Sequence, residues 1–147
     1  MEPISSQRLA EIAKAYADHF TNPHVWTADR VLVKRDNSDT DWAPSIVFDI
    51  TYDHPKLLLP FVLEVLKLDP ANEVIEVLSA GPLEDCLGLL GEEVIDEVEA
   101  HARANPKFAY LLGGVWKGKM TDEIWARVQS VWDRRGWDGI PLESTAS

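Results

Sequence analysis

The sequence predicts an all-α protein, a compact irregular bundle or a short α-solenoid of seven to eight short helices. Three observations predict it. Apolar residues recur at helical spacing in segment after segment. Prolines and cap-forming residues stand at the joints between those segments. No two convincing strands are present to satisfy each other's backbone. A chain of 147 residues suits one domain with a real core. Residues 1–135 read as that domain and residues 136–147 as a flexible C-terminal tail.

Ser5 and Ser6 offer an N-cap, and Leu9, Ile12, Ala13, Tyr16 and Phe20 follow at helical spacing. Asn22-Pro23 ends that helix. Residues 23–43 look irregular: Trp26 and Trp42 flank the short run Val31-Leu32-Val33 and a polar patch from Lys34 to Asp41, which reads as an exposed loop. Residues 46–52, IVFDITY, alternate like a strand but also fit a helix entered through Pro44. With nothing for a strand to pair with, helix is the expectation.

LLLPFVLEVLKL, residues 57–68, is apolar nearly all round and predicts a central buried helix that starts near Leu59 or kinks at Pro60. Asp69-Pro70 should cap the next, running to about Ser79. Gly91 should close another short helix. Residues 92–104 are amphipathic, with Val94, Ile95 and Val98 inward. Asn105-Pro106 should open a helix through Phe108, Leu111, Leu112 and Val115. Thr121 should cap the last, with Ile124, Trp125, Val128, Val131 and Trp132 as its stripe.

The stretch LSAGPLEDCLGLLG, residues 78–91, looks like a joint. Gly81 stands where a helix would end in a left-handed residue. Pro82 stands where the next would begin, and Glu84 and Asp85 would face its positive end. Leu83, Cys86, Leu87 and Leu90 give an inward face. The lone Cys86 thus reads as a core residue rather than a nucleophile, since acidic neighbours raise a thiol pKa.

This same stretch, with VIDEVEAHARANPKFAYLLGGVW and IWARV after it, resembles a bacterial family catalogued only as a domain of unknown function. Ala80 to Leu87, Ile95, Asp96, Asn105, Pro106, Phe108, Leu112, Gly113 or Gly114, Val115 and Trp116 match its runs. Cys86 stands where that family usually has Leu. The resemblance covers roughly residues 44–130. It implies a small all-helical bacterial protein and brings no activity.

Net charge is −11. That opposes binding to nucleic acid, which needs cations to replace phosphate counterions, and opposes anionic membrane surfaces. No run of apolar residues is long enough to span a bilayer, the N-terminus lacks the pattern of a signal peptide, and a single cysteine suits a reducing compartment. The expected location is cytoplasmic. The acids are concentrated: Asp69, Glu73, Glu76, Glu84, Asp85, Glu92, Glu93, Asp96, Glu97 and Glu99 fall between Leu68 and Ala100, a window without Lys or Arg. On adjacent helices they would merge into one negative field.

Other chemistry is thinly represented. Glu93, Glu97 and His101 fall at i, i+4 and i+8 and could face a divalent metal. Di-metal carboxylate bundles, however, need Glu-x-x-His pairs on two helices. His19, His24 and His54 lie near no hydrolase signature. LGGVWKGKM, residues 112–120, lacks phosphate-loop spacing, and Gly113-Gly114 there suggests close packing or a bend. No cofactor is expected.

These features predict a non-enzymatic interaction protein that presents Glu73, Glu76, Glu84, Asp85, Glu92, Glu93, Asp96, Glu97 and Glu99 to a basic protein. Trp137 is added as an exposed aromatic. The specific expectation is an immunity or inhibitor protein covering the cleft of a cationic toxin such as a nuclease. Two other readings stay open: a small metal-dependent or hydrolytic enzyme using Glu93, Glu97 and His101, and a structural or oligomeric module.

Overall fold

The computed structural model describes residues 4–137. It is helical, as expected. Within the stretch read as one domain, two compact units divide the chain: Met1–Val77 and Leu78–Ser147.

In the first unit, α1 (Ser6–Phe20) starts where Ser5 accepts the backbone N–H of Arg8 and buries Leu9, Ile12, Ala13, Tyr16 and Ala17. Asn22, at φ 50°, turns the chain out of it. Residues 46–52 are helical, inside α2 (Trp42–Asp53), which buries Ala43, Val47 and Ile50. A 3-10 turn, Pro55–Leu57, leads into α3 (Leu58–Lys67). Pro60 falls in the first turn of α3, where its missing N–H breaks no helical hydrogen bond. Leu58, Leu59, Phe61, Val62, Val65 and Leu66 of α3 are buried, and Tyr16 meets Phe61 edge-on at 5.1 Å. The apolar run therefore supplies the centre of this unit, packed on α1 and α2. Asp69, at φ 51°, turns the chain out of α3, and α4 (Asn72–Leu78) starts three residues later.

The segment expected to be irregular contains an antiparallel hairpin: β1 (His24–Trp26) pairs with β2 (Leu32–Lys34), with Val25 opposite Val33 and Trp26 opposite Leu32. Each strand has only three residues, below the length at which alternation can be read. Backbone pairing with its neighbour is what makes it a strand. Past β2, Arg35 and Asn37 donate side-chain hydrogen bonds to the C-terminal carbonyls of α1 at His19, so the base of the hairpin is tied to that helix end.

In the second unit, the joint expected at Gly81-Pro82 is absent. Ser79–Leu83 forms a π-helical turn, and Gly81 is not left-handed. A π turn lets the helical path pass a proline, because its wider hydrogen-bonding pattern absorbs the missing donor. Helix α5 (Glu84–Ala104) follows, interrupted at Leu90, where φ −126° and ψ 23° leave the helical region. That break stands where the sequence places a helix end at Gly91. Asn105 then caps α6 (Pro106–Leu112), accepting from the N–H of Lys107 at 3.0 Å. Thr121 caps α7 (Asp122–Val131), accepting from the N–H of Ile124 at 3.2 Å. Cys86 is completely buried among the leucines of α5, as a core residue would be.

The chain turns tightly after α6. A Cβ on Gly113 would lie 2.1 Å from the carbonyl oxygen of Asp133, and one on Gly114 would lie 2.5 Å from Ser79 Oγ and from the Trp137 ring. Only glycine fits either place. Ser79, fully buried, donates to the Leu111 carbonyl at 2.8 Å, and the Asp133 N–H donates to Ala109 O at 2.9 Å. No helix among the described residues is long and apolar enough to cross a membrane.

Candidate functional site

The acids read from the sequence divide between the units. Glu73 and Glu76 lie on the exposed side of α4, opposite the buried Val74, Ile75 and Leu78, and belong to the first unit. The other seven lie on α5. Beyond its break, the buried residues Val94, Ile95, Val98 and Ala102 form one stripe. At 100° per residue, Glu92, Glu93, Asp96 and Glu97 fall on the opposite half, and Glu99 falls at the edge of the buried stripe. Here four carboxylates share the exposed side of one helix segment.

The five acids are not equivalent. Glu99 departs from the expectation of a presented carboxylate: it sits at the seam with α7, only 9% exposed. Arg127 of α7 donates to both its oxygens, Nε to Oε2 at 3.1 Å and a terminal nitrogen to Oε1. The same guanidinium reaches Asp96. This fork-to-fork pairing holds the Glu99 carboxyl below the usual range, mainly through the Arg127 hydrogen bonds. It raises Arg127 in turn. One cation is thus spent on two acids, and Glu92, Glu93 and Glu97 remain exposed. Glu97 lies 3.6 Å from His101 one turn on. Among the described residues no group of three or more His, Cys, Asp or Glu side chains is arranged to hold a metal ion, so the Glu93, Glu97 and His101 row does not close into a ligand set.

Glu84 and Asp85 occupy the first turn of α5, before the break. Glu84 accepts the backbone N–H of Trp116 at 2.8 Å, an internal structural role. Asp85 is exposed as a residue, yet desolvation of its carboxyl raises it above the usual range against the opposing pull of Lys119. At the break itself a cleft of about 280 Å³ runs between α5 and the start of α7, lined by Leu87, Gly88, Leu89, Gly91, Ile124 and Met120, with Glu92, Glu93 and Lys119 among its polar groups.

Trp137, expected to be exposed, is half-buried. Its indole N–H donates to the Tyr110 carbonyl at 2.8 Å, and its ring stacks at 5.2 Å on Tyr110. The glycine pair makes the room for it. Trp125 and Trp132 are half-buried and meet edge-on at 5.1 Å. The exposed tryptophan of this unit is Trp116, at 70%. Sequence reasoning missed both that exposure and the role of Arg127, which comes from 28 residues beyond Glu99 and carries no local signal. The other residues of the tail, 138–147, lie outside the described residues.

A protein-family model described as a family of unknown function matches residues 32–136, a somewhat longer stretch than the one carrying the resemblance. No curated protein and no solved structure matches the chain.

Proposed function

Because the chain belongs to the family of unknown function DUF6869, which lends it no activity, we propose from its carboxylates that it is a non-enzymatic interaction protein binding a basic protein partner. The observation that carries this reading is the solvent side of α5 beyond its break, where Glu92, Glu93, Asp96 and Glu97 are exposed and Arg127, which also holds the buried Glu99, alone reaches any of them among the described ion pairs to Lys or Arg. Arg127 fixes Glu99 and Asp96 in place. Glu92, Glu93 and Glu97 are left as the charges a partner meets, on a helix segment that is already formed. A net charge of −11 would steer a cationic partner towards this surface.

The partner we infer is a basic bacterial toxin, with a nuclease as the clearest case. A cleft built to attract phosphates also attracts a helix of carboxylates, and covering that cleft stops the enzyme. Glu73, Glu76, Glu84 and Asp85 would add to the long-range field rather than to the contact.

The test is affinity capture from the source cells with the wild-type chain and with Glu93→Lys/Glu97→Lys. A basic protein retained by the wild type and lost by the reversed chain supports the reading. Equal retention by both removes it. Inhibition of a nuclease encoded beside the gene would establish the finer assignment.

A further inference from the structure

The hairpin of the first unit is an anomaly of burial. All six residues of β1 and β2 are exposed, and five large apolar side chains are on display: Val25, Trp26, Val31, Leu32 and Val33, with Trp26 at 70%. Val25 and Val33, on the other face from Trp26 and Leu32, are 40% and 37% exposed, and a two-stranded hairpin that buries so little is marginal in water. This one is rooted, since Arg35 and Asn37 tie its base to the end of α1, but its length projects. The register puts Trp26 and Leu32 on one face together with His24 and Lys34. Arg30, at φ 61°, stands in the connecting turn. Asp29 stands beside Arg30 in that turn, so the ribbon, with His24, Arg30 and Lys34, is apolar and weakly basic, in a chain that is strongly acidic.

The same unit carries a second exposed aromatic surface of opposite charge. On α2, Phe48 and Tyr52, one turn apart, are 63% and 69% exposed, and their rings meet at 4.8 Å with a tilt of 56°. Asp49 and Asp53 stand beside them at the same spacing, also exposed. Each surface offers what the other lacks: aromatic and aliphatic area on both, cations on the ribbon and carboxylates on the helix. Because both are exposed, neither covers the other within one chain.

We propose that the hairpin is an exchange arm that docks on the Phe48–Tyr52 face of a second copy of this chain. Exchange is reciprocal: the arm of each copy lies on α2 of the other. The contact is then two-fold symmetric and closes as a dimer rather than growing into a fibre. Apolar area supplies the affinity, while Lys34 and Arg30 against Asp49 and Asp53 set the register. The dimer does not use the α5 carboxylates and stands or falls separately from the reading above.

Sedimentation velocity on the full chain, over a concentration series at low and high salt, tests this. The expected result is a monomer–dimer equilibrium weakened by salt. Trp26→Ser and Phe48→Ser should each weaken it about thirtyfold or more. Both residues are exposed, so helical circular dichroism should be unchanged. Mixing the two variants should restore association, because one intact arm then meets one intact receptor face. Lys34→Glu should weaken the dimer, and Asp53→Lys added to it should recover most of the loss. A chain that stays monomeric at the highest soluble concentration overturns the proposal. So does a dimer indifferent to both aromatic substitutions, or a mixture of the two variants that stays monomeric.

Discussion

The hairpin of the first unit and the glycine corner of the second are both short, non-helical and close to tryptophans, yet they differ in what surrounds them. Around Gly113 and Gly114 the chain is packed so closely that no Cβ fits. Ser79, Ala109, Tyr110 and Leu111 each give or accept a hydrogen bond across the corner. Trp26 and Leu32, by contrast, are 70% and 51% exposed. Local regularity is therefore no guide to burial. The corner is held by tertiary contacts and must cost stability when disturbed. The hairpin is held by its own backbone pairing and its tied base, and its side chains are free for something outside the chain.

The sharpest way to break the comparison is Gly113→Ala. Its Cβ would meet a backbone oxygen that cannot move without shifting the residues after α7, and we expect a loss of about 3 kcal/mol in chemical denaturation. Ser79→Ala comes next. It leaves the buried Leu111 carbonyl without its donor and should cost about 2 kcal/mol by the same measurement.

How much of this was legible depends on how local the cause was. Ser5, Asn105 and Thr121 act on a backbone N–H two or three residues away, and the sequence announces each cap. The stripes of α3 and α5 are equally local, since periodicity is a property of one segment. Gly81-Pro82 misleads because its signals for a joint are genuine, and only the wider turn of a π helix reconciles them with a continuous path. Glu99 looks like its neighbours until Arg127 arrives from α7. Trp137 looks exposed until two glycines, more than twenty residues earlier, make room for its ring. The hairpin is invisible because its strands are three residues long, and pairing is a property of two segments together.

A pH titration follows from the Arg127 clamp. The folded Glu99 carboxyl lies below the ordinary glutamate value of about 4.3, so ionisation favours the folded state. The stabilisation is fully present above that ordinary value and is lost as pH falls through the lower, folded one. Unfolding midpoints followed by circular dichroism should drop across that acid window. The drop should shrink in Glu99→Gln/Arg127→Met, in which neither charge remains.

The smallest effect belongs to the hairpin. Trp26→Ser and Leu32→Ser should change the stability of the chain at low concentration by no more than about 0.5 kcal/mol, the usual result at a surface position without special contacts. A large loss from either would mean that the hairpin is packed in a way its exposure does not reveal, and the contrast with the corner would fail.

The central claim is that the exposed carboxylates of α5 left without a Lys or Arg partner, Glu92, Glu93 and Glu97, are what a basic partner meets. Its most direct measurement is the dissociation constant of the captured partner for the wild-type chain and for Glu93→Lys/Glu97→Lys, at low and at high salt. The account predicts tight, salt-sensitive binding by the wild type and a loss on the order of tenfold or more per reversed charge. Equal affinity for both chains, unmoved by salt, would contradict it.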